Sequence, residues 1–346
     1  MHEPGFWHRP SSLLSRVLAP LGTIYGAVSG WRMMRSGVRA GVPVICVGNY
    51  HAGGAGKTPT VLALAKLLGA MGESPVVLSR GYGGRLAGPV VVDPAHHAAA
   101  DVGDEPLMMA RSLPVIVARD RAMALPLVRS SAASVILMDD GLQNPAIMKD
   151  ASVVVIDGDR GIGNGRVFPA GPLRAPLPLQ IARTDALVVI GDGNAADSVV
   201  AAVNANGGST VRGRFKANEE MLARLRGVRV FAFAGIGDPD RFFRTLRANG
   251  IDVAMSTAFP DHHAFSRSEI DGLITQAENR GLTLVTTEKD LVRLGDRTQF
   301  GAAVDTIVPF AVTLEIDDGE RLRRLLGGCL RAARESDQPA VFSSPG

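Results

Sequence analysis

Short uninterrupted runs of apolar residues recur along the first part of the chain, separated by segments with helical spacing. The runs are too short for buried helices and are bounded by Gly, Pro and polar residues, as is typical of strands buried on both faces. They lie at residues 44–47, 75–79, 114–118, 135–138, 153–156 and 186–190. Strands that alternate with helices predict an α/β fold, with a mostly parallel sheet covered by helices on both faces.

A second alternation of strands and helices begins near residue 205. Residues 227–237 form an apolar strand pattern that runs into a Gly-rich turn, and residues 282–287 predict another strand. A basic amphipathic helix pattern and then a polar tail with prolines complete the chain. We therefore predict an N-terminal helical segment (1–40), a first α/β unit (41–204), a second, smaller α/β/α unit (205–334) and a frayed tail (335–346).

The segment before the first strand has its apolar residues at helical spacing. These are Leu13, Leu14, Val17, Leu18, Leu21, Ile24, Tyr25, Val28, Trp31 and Met34, with Arg16, Arg32, Arg35 and Arg39 nearby. Glycines repeat every fourth residue, at Gly22, Gly26 and Gly30. An amphipathic helix with a basic border and a Trp is typical of a segment that lies in a membrane interface. The alternative is a helix packed on the unit that follows.

The first predicted strand leads into a Gly-rich turn that ends in Gly-Lys-Thr. Residues 43–59 read PVICVGNYHAGGAGKTP, and a helical pattern follows directly. This is the arrangement of a P-loop, in which backbone N–H groups and the lysine hold phosphates while the hydroxyl ligates Mg²⁺. The usual GxxxxGK[ST] pattern begins with Gly, whereas this chain has His at that position. The predicted nucleotide-binding residues are His51, Ala52, Gly53, Gly54, Ala55, Gly56, Lys57 and Thr58.

Composition and charge narrow the possible classes of protein. The chain has 346 residues, of which 46% are hydrophobic, and this excludes a disordered chain. A net charge of +3 permits an anionic partner, but the sequence lacks the basic and aromatic interleaving of a nucleic-acid binder. The two cysteines offer no disulfide or zinc framework, which suits a reducing compartment.

Acidic residues follow one of the predicted strands directly. Asp139 and Asp140 come immediately after the run 135–138. An apolar strand that ends in Asp is a Walker B pattern, whose carboxylate holds magnesium directly or through water. The carboxyl ends of parallel strands are where functional residues gather in such sheets. Which of the two aspartates is the direct ligand stays open at this point.

Two further groups are candidates for acid–base chemistry. The pair Asp104-Glu105 lies at a predicted helix start, where an acidic residue can also serve only as a cap. His262 follows Asp261 in a predicted turn, where a histidine often bonds only to its neighbours. In a protein that needs a base, His262 is a candidate for orienting a carboxylate or accepting a proton.

The order of the motifs resembles that of one enzyme family across residues 44–290. The matching segments read VGNYHAGGAGKTP, SRGYGG, GDEP, VARDR, DDGLQN, PAGPLR, FAGIGDPDRF, FPDHHAF and TTEKD. Together they are similar to the tetraacyldisaccharide 4′-kinase family of lipid A biosynthesis in Gram-negative bacteria. The P-loop of this family does not begin with Gly, so His51 at the first position of the loop agrees with the resemblance.

The resemblance implies an activity and a location. The enzyme would transfer the γ-phosphoryl group of ATP to the 4′-hydroxyl of a tetraacyldisaccharide 1-phosphate and form lipid IVA. It would lie on the cytoplasmic face of the inner membrane, held there by its N-terminal helix. The family's fold has two α/β/α domains, the first of them P-loop NTPase-like, joined by a two-stranded linker with the active site between them.

The resemblance also implies roles for individual residues. Asp104 would be the catalytic base, paired with His262, and Lys57 would hold the β- and γ-phosphates of ATP. The chemistry of phosphoryl transfer, which needs positioning and charge neutralisation, agrees with these roles and predicts that Thr58, Asp139 and Glu105 hold Mg²⁺. The candidates for contact with the substrate's phosphate and sugar are Arg80, Arg119, Asp140, Gln143 and Arg174.

Two other classes of P-loop protein fit the sequence less well. A GTPase or metallochaperone reads guanine with an N/T-K-x-D motif, but residues 286–290 read TTEKD, with the lysine directly before the aspartate. A partition-type membrane ATPase carries a signature lysine early in its loop, where this chain has Ala52. We expect a lipid substrate and a membrane surface as partners, no nucleic acid and no obligate protein partner.

Overall fold

The computed structural model of the chain describes residues 4–9, 12–295 and 300–337. The strands are β1 (Val44–Asn49), β2 (Pro75–Ser79), β3 (Val90–Val91), β4 (Val115–Val117), β5 (Val135–Asp139), β6 (Ala151–Asp157), β7 (Ala186–Ile190), β8 (Ser209–Ala217), β9 (Arg229–Ala234), β10 (Asp252–Ala258), β11 (Thr283–Thr287), β12 (Val308–Phe310) and β13 (Val312–Ile316). The α-helices are α1 (Leu13–Val17), α2 (Ala19–Met33), α3 (Lys57–Ala70), α4 (Ala99–Val102), α5 (Asp104–Ala110), α6 (Leu125–Arg129), α7 (Leu177–Ile181), α8 (Asp197–Ala205), α9 (Glu219–Leu225), α10 (Pro239–Ala248), α11 (Arg267–Asn279), α12 (Glu288–Arg293) and α13 (Gly319–Asp337). Single 3-10 turns lie at Gly5–His8, Arg121–Ala124 and Ala302–Thr306.

The larger sheet of the described chain has nine strands in the order β13-β8-β7-β6-β1-β5-β2-β4-β3. All neighbours from β8 to β4 run parallel, and only the two edge strands β13 and β3 pair antiparallel. Each of the six predicted apolar runs lies in one of its parallel strands. β1, which leads into the P-loop, pairs in parallel with β5. The carboxyl ends of these two strands therefore lie side by side.

Helices cover both faces of this sheet. On one face, α3, α5 and α13 contribute Leu64, Leu107 and Leu326 to a core that includes Val47 and Leu137. On the other face, α6, α7 and α8 contribute Leu125, Ile181 and Val203 to a second core that includes Cys46 and Met138. Neighbouring residues of one strand thus face opposite cores, as parallel strands between two helical layers require. The predicted α/β architecture is confirmed.

The smaller sheet belongs to a second unit. Its strands have the order β10-β9-β11-β12 and run parallel. Helix α11 packs on one face through Ile270 and Leu273, and α10 packs on the other through Phe243 and Leu246. This unit lies in the chain between β8 and β13.

The second unit is shorter than the range 205–334 expected from the sequence. β8 and β13 pair with each other at the edge of the large sheet. Helix α13 packs on the same face of that sheet as α3 and shares its core. The physical reason is that Leu314, Leu322 and Leu330 bury their side chains in the first unit's core. The β8–β13 pair leads into and out of the second unit, as the two-stranded linker of the resemblance implies.

The N-terminal segment contains two helices, and the second of them, α2, turns its glycines toward the protein. In α2, Gly22, Gly26 and Gly30 are buried against the loop that precedes α7. A Cβ on Gly22 would lie 2.8 Å from the carbonyl oxygen of Val167. The expected tail from residue 335 overlaps the end of α13, and residues 338–346 lie outside the described residues.

Candidate active site

The P-loop joins β1 to α3 at the carboxyl edge of the large sheet. Gly56 has a φ of +91° and directly precedes Lys57, the first residue of α3. A Cβ at Gly56 would lie 2.6 Å from the side chain of Ile190, so only glycine fits there. Thr58 is buried in the first turn of the helix. The first N–H groups of a helix have no partner within the helix, so a helix start of this kind can bind an anion.

An extended segment supports the start of the P-loop. The N–H of Ala52 donates to the carbonyl of Pro172 at 2.8 Å, and the N–H of Arg174 donates to the carbonyl of Tyr50 at 2.9 Å. His51 therefore lies in paired, extended backbone opposite Leu173. A residue in extended backbone does not need to be glycine, which explains the His at the first position of the loop.

Asp140 is held between two cations. Arg174 Nη1 donates to its Oδ1 at 2.6 Å, and Lys57 Nζ lies 3.8 Å from the same oxygen. Burial acts to raise the pKa of Asp140, but Lys57 and Arg174 outweigh it and hold that pKa well below its usual range. The backbone of Asp140 is left-handed, with a φ of +47°. In this geometry Asp140 orients the two cations that face the phosphate site.

Asp139 ends β5 beside Val47 of β1 and is buried. Ser79 Oγ donates to its Oδ2 at 3.0 Å. Burial, with the negative charges of Glu105 and Asp140, raises the pKa of Asp139 to about 6. A carboxylate crowded by other carboxylates is a site that a bound cation would stabilise.

Asp104 begins α5 and is contacted by three residues of the second unit. Arg293 Nε donates to Asp104 Oδ2 at 2.8 Å, and His262 Nδ1 lies 3.2 Å from the same oxygen. Lys289 Nζ lies 3.8 Å from it. Burial acts to raise the pKa of Asp104, but His262, Lys289 and Arg293 outweigh it and hold that pKa well below its usual range.

Glu105 joins the same group of charges. Lys289 Nζ donates to Glu105 Oε1 at 3.0 Å and lies 3.4 Å from His262 Nε2. Burial acts to lower the pKa of Lys289, but the two carboxylates Glu105 and Asp104 outweigh it and raise that pKa. Lys289 is therefore a charged lysine that links the acidic pair of the first unit to the second unit.

Arg293 is fixed within the second unit before it reaches Asp104. Its Nη1 donates to the carbonyl of Gly235 at 2.7 Å and to Asp290 Oδ1 at 2.6 Å. Asp290 is fully buried and also accepts from the N–H of Gly235 at 3.0 Å. The guanidinium thus has one edge anchored in its own unit and the other edge on Asp104.

His262 is presented by a strained turn. Its φ is +58°, which is uncommon for a residue with a side chain. The ring packs edge-on against the exposed ring of Tyr82, with 5.4 Å between the ring centroids. Non-glycine residues in this backbone region are concentrated at functional sites. The turn carries the imidazole across to the carboxylate of the first unit.

The other predicted substrate residues are less closely grouped. Arg119 donates to the carbonyls of Gly84 and Arg85, both at 3.2 Å. Gln143 donates to the carbonyl of Asn49 at 2.9 Å and to Gln180 Oε1 at 2.8 Å. Arg80 is exposed at the end of β2. Arg119 and Gln143 support loops around the site, whereas Arg80 is accessible.

Sequence reasoning missed Lys289, Arg293, Asp290 and Arg121 as parts of the site. The rule that polar residues gather at strand ends applies to β11, which runs directly into Glu288, and could have indicated Lys289. Arg121 is buried and donates to the carbonyls of Asp139 and Asp140 at 2.7 and 3.1 Å. Arg293 carries no local signal, since its partner Asp104 lies 189 residues away in the chain.

Comparison with known proteins identifies the family. The sequence profile of the family described as Tetraacyldisaccharide-1-P 4′-kinase matches residues 14–331. The chain belongs to this family.

Two relatives and one solved structure illustrate how far the similarity extends. The tetraacyldisaccharide 4′-kinase of Nitrobacter winogradskyi is 62% identical over 337 residues, which cover 97% of this chain and all of that protein. The protein of that name from Nitrobacter hamburgensis is 64% identical over 334 residues, covering 96% of this chain and all of that protein. The crystal structure of LpxK from Aquifex aeolicus, in complex with ATP, has a TM-score of 0.70 and 25% identity, and covers 92% of this chain and 100% of that one.

Membership of the tetraacyldisaccharide-1-P 4′-kinase family decides which class of P-loop protein this chain is. It excludes the GTPase and partition ATPase alternatives, because the match spans both units and not the P-loop alone. Among the described residues, no helix combines the length and the apolarity needed to cross a bilayer.

Proposed function

We propose that this protein transfers the γ-phosphoryl group of ATP to the 4′-hydroxyl of a tetraacyldisaccharide 1-phosphate, yielding lipid IVA. Family membership supports the reaction. The observation that carries it is that Lys57, Asp139 and the acidic pair Asp104-Glu105 lie at one edge of the large sheet, and that the second unit contacts this acidic pair. A phosphate site, a metal ligand and a candidate base are the parts that phosphoryl transfer requires.

The donor site fits ATP with Mg²⁺. The loop N–H groups and Lys57 would hold the β- and γ-phosphates, as the ATP complex of the Aquifex relative supports. Thr58, Asp139 and Glu105 offer hard oxygen ligands, which Mg²⁺ prefers. The raised pKa of Asp139 among like charges fits a cation at this position. Held by these oxygens, Mg²⁺ would supply positive charge that offsets the negative charge of the transferred phosphoryl group.

Asp104 is the proposed general base. The described contacts of its carboxylate with Arg293, His262 and Lys289 all reach Oδ2. Oδ1 is therefore the oxygen that would accept the proton of the sugar hydroxyl. The hydrogen bond from His262 to Oδ2 would orient the carboxylate and stabilise its charge as the proton is transferred.

Arg293 is a proposed positioning residue for this base. Its two edges join Asp104 to the buried Asp290, so the second unit sets the orientation of the carboxylate. A planar guanidinium that donates along two edges fixes direction as well as charge, which a lysine ammonium cannot do. The base is then aligned only when the two units are in contact.

The acceptor would lie between the two units. Arg174 and Asp140, beside Lys57, and the exposed Arg80 are proposed to contact its phosphate and sugar. Arg119 and Gln143 are proposed to act from the surrounding loops. Tyr82 adds an exposed ring next to His262, on which a sugar face could pack.

The N-terminal helices are proposed to hold the protein on the cytoplasmic face of the inner membrane. The inward face of α2 carries Gly22, Gly26 and Gly30, that of α1 carries Ser15, and most large apolar side chains of the segment are exposed. The exposed set is Leu13, Leu14, Val17, Leu21, Ile24, Tyr25, Val28, Trp31 and Met34. An exposed apolar face of this size is typical of a surface that binds a membrane or a partner. We favour the membrane because the proposed acceptor carries acyl chains.

The direct test is a transfer assay. Purified protein is incubated with ATP, Mg²⁺ and tetraacyldisaccharide 1-phosphate in detergent, and lipid products are separated. We expect a bis-phosphorylated lipid whose formation requires all three components. Turnover of GTP without an acceptor, together with no bis-phosphorylated lipid, would overturn the proposal.

A further inference from the structure

A cavity of about 280 Å³ lies beside the end of α2, away from the proposed active site. Its lining includes Met34, Arg35, Lys149, Ser152 and Arg183. Ser152 pairs with Cys46 in the sheet, and Cys46 lies three residues before the end of β1. At about 3.3 Å per residue, the cavity is thus roughly 10 Å behind the edge that carries the P-loop.

The cavity carries a surplus of positive charge. Among the described residues, neither Arg35 nor Arg183 forms an ion pair, and Lys149 Nζ donates to the carbonyl of Asn144 at 2.6 Å. Burial, together with the nearby cation Arg183, lowers the pKa of Lys149. The acidic residue of the lining, Asp185, accepts from the N–H of Ser152 at 2.7 Å. One carboxylate therefore faces three basic side chains, and an anion in the cavity would relieve their repulsion.

Exposed apolar side chains surround this basic cavity. Met34 and Met148 line it and are 58% and 42% exposed. Trp31 and Val38 flank it and are 59% and 49% exposed. The guanidinium of Arg35 lies 5.4 Å from the Trp31 ring, so an apolar and a basic group meet at the cavity mouth. This apolar rim continues the exposed face of α2.

We propose that this cavity binds the phosphate headgroup of an anionic phospholipid whose acyl chains lie along the apolar rim. The proposal rests on the proposed placement of α2 in the membrane. Arginine side chains recognise phosphate oxygens through paired N–H groups, and basic pockets beside membrane helices suit anionic headgroups. Such a site would fix the rotation of the protein on the membrane and so the direction in which the active site faces.

The experiment compares single charge removals on the full chain. Arg183→Gln and Arg35→Gln remove cavity cations, and Arg32→Gln removes an exposed cation of α2 that does not line the cavity. Binding is measured by flotation with vesicles of phosphatidylcholine alone and with vesicles that also contain phosphatidylglycerol. Circular dichroism melts establish that each variant is folded.

The two cavity variants should lose more vesicle binding than Arg32→Gln if the cavity binds a headgroup. They should lose no more than Arg32→Gln if only diffuse surface charge attracts the membrane. Loss of hydrogen bonds to a phosphate should weaken binding to phosphatidylglycerol vesicles about tenfold to hundredfold for Arg183→Gln and Arg35→Gln. Loss of one surface charge in Arg32→Gln should weaken it only about fivefold. An effect of Arg32→Gln equal to or larger than that of Arg183→Gln would overturn the proposal.

A second arm separates a lipid from free phosphate. Short-chain phosphatidylglycerol and inorganic phosphate are titrated while the fluorescence of the exposed Trp31 is followed, since the other tryptophan, Trp7, is buried. We expect saturable binding of the short-chain lipid and much weaker binding of inorganic phosphate. Equal binding of both would overturn the lipid assignment. Neither arm measures phosphoryl transfer, so failure here leaves the kinase proposal standing, and failure of the transfer assay leaves this one standing.

Discussion

The carboxylate of Asp104 is where the proposed reaction depends on a single residue. It is buried, and its Oδ2 receives contacts from three residues of the second unit. The sequence indicates Asp104 only through its place in a GDEP segment. The structure adds that Oδ2 holds these contacts and that Oδ1 is the oxygen proposed to face an acceptor.

Removal of the base is the first prediction at this scale. Asp104→Asn keeps the size of the side chain and one oxygen acceptor, but the amide cannot take a proton. We expect kcat to fall by about 10² or more, as loss of a general base does, while ATP binding stays close to that of the wild type. Steady-state kinetics and an ATP titration measure the two quantities. Near-normal turnover would show that Asp104 is not the base.

The second prediction concerns Arg293. Arg293→Lys keeps the charge but cannot donate to Asp104 and Asp290 along two edges. We expect kcat to fall by about tenfold to a hundredfold, with little change in the KM for ATP, because misplacing a reacting group costs rate.

A matched control and a double variant test the assignment of Arg293. Arg241→Lys alters another ion pair between the units, in which Arg241 Nη1 donates to Asp157 at 2.5 Å. Equal losses of kcat in both lysine variants would indicate that contact between the units matters and base positioning does not. In the Asp104→Asn background, Arg293→Lys should add no further loss, since the group it positions no longer works.

At the scale of an element, α2 has two faces with different roles. One face is made of glycines that let the helix approach the loop at Val167 closely. The other face exposes large apolar side chains, among them Leu21, Ile24 and Val28. The sequence predicts an amphipathic helix but cannot tell which face meets the protein. The larger apolar face turns outward because the smooth glycine face already fits the loop.

The third prediction tests the outer face. Leu21→Ser, Ile24→Ser and Val28→Ser together should leave the free energy of unfolding almost unchanged, because exposed substitutions cost little. Vesicle binding should fall by about tenfold for each side chain, since burying one in the acyl region contributes roughly 1.5 kcal/mol. Flotation and denaturant titration measure the two effects. Unchanged flotation would contradict a membrane role for this face.

The fourth prediction tests the inner face. Gly22→Ala places a Cβ 2.8 Å from the carbonyl oxygen of Val167. We expect a loss of about 1–3 kcal/mol of stability from this overpacking. The matched control is Gly272→Ala in α11, where a Cβ would meet no atom within 4 Å. There the better helix propensity of Ala should add roughly 0.5–1 kcal/mol. A Gly22→Ala variant as stable as the wild type in thermal melts would mean that α2 does not pack as described.

At the scale of the whole molecule, the second unit is an insertion at the edge of the large sheet. β8 leaves the sheet at Ala217 and β13 returns at Val312, and these two residues are register partners. The core of the first unit is completed by α13, which follows the insertion in the chain. The P-loop, Asp139 and Asp104 all belong to the first unit, whereas His262, Lys289 and Arg293 belong to the second.

This topology gives the fifth prediction. Residues 218–311 are replaced by an Asn-Gly turn, which suits a two-residue hairpin between antiparallel strands. We expect a cooperatively folding protein that still binds ATP, because the phosphate site is complete in the first unit. Phosphoryl transfer should be lost, because the partners of Asp104 are removed. The absence of a cooperative melt by circular dichroism would contradict an independent first unit.

The sequence by itself determined the features that depend on neighbours in the chain. The strand, Gly-rich loop and helix of the P-loop are contiguous, so residues 43–59 were enough to predict the phosphate site. The parallel strands were visible because a strand buried on both faces must be apolar throughout. Asp139 could be placed because it directly follows the apolar run 135–138 and ends the strand that this run forms.

Only the tertiary structure decided how distant residues combine. By position in the chain, β8 and β13 belong to the second unit, but their pairing and the burial of Leu314 place them in the first. Arg293 and Asp104 meet across 189 residues, and Lys289 meets Glu105 across 184. No local periodicity records such a contact, because it depends on how the second unit packs against the sheet. The sequence therefore predicts the donor phosphate site, and the packing of the two units decides what surrounds the proposed base.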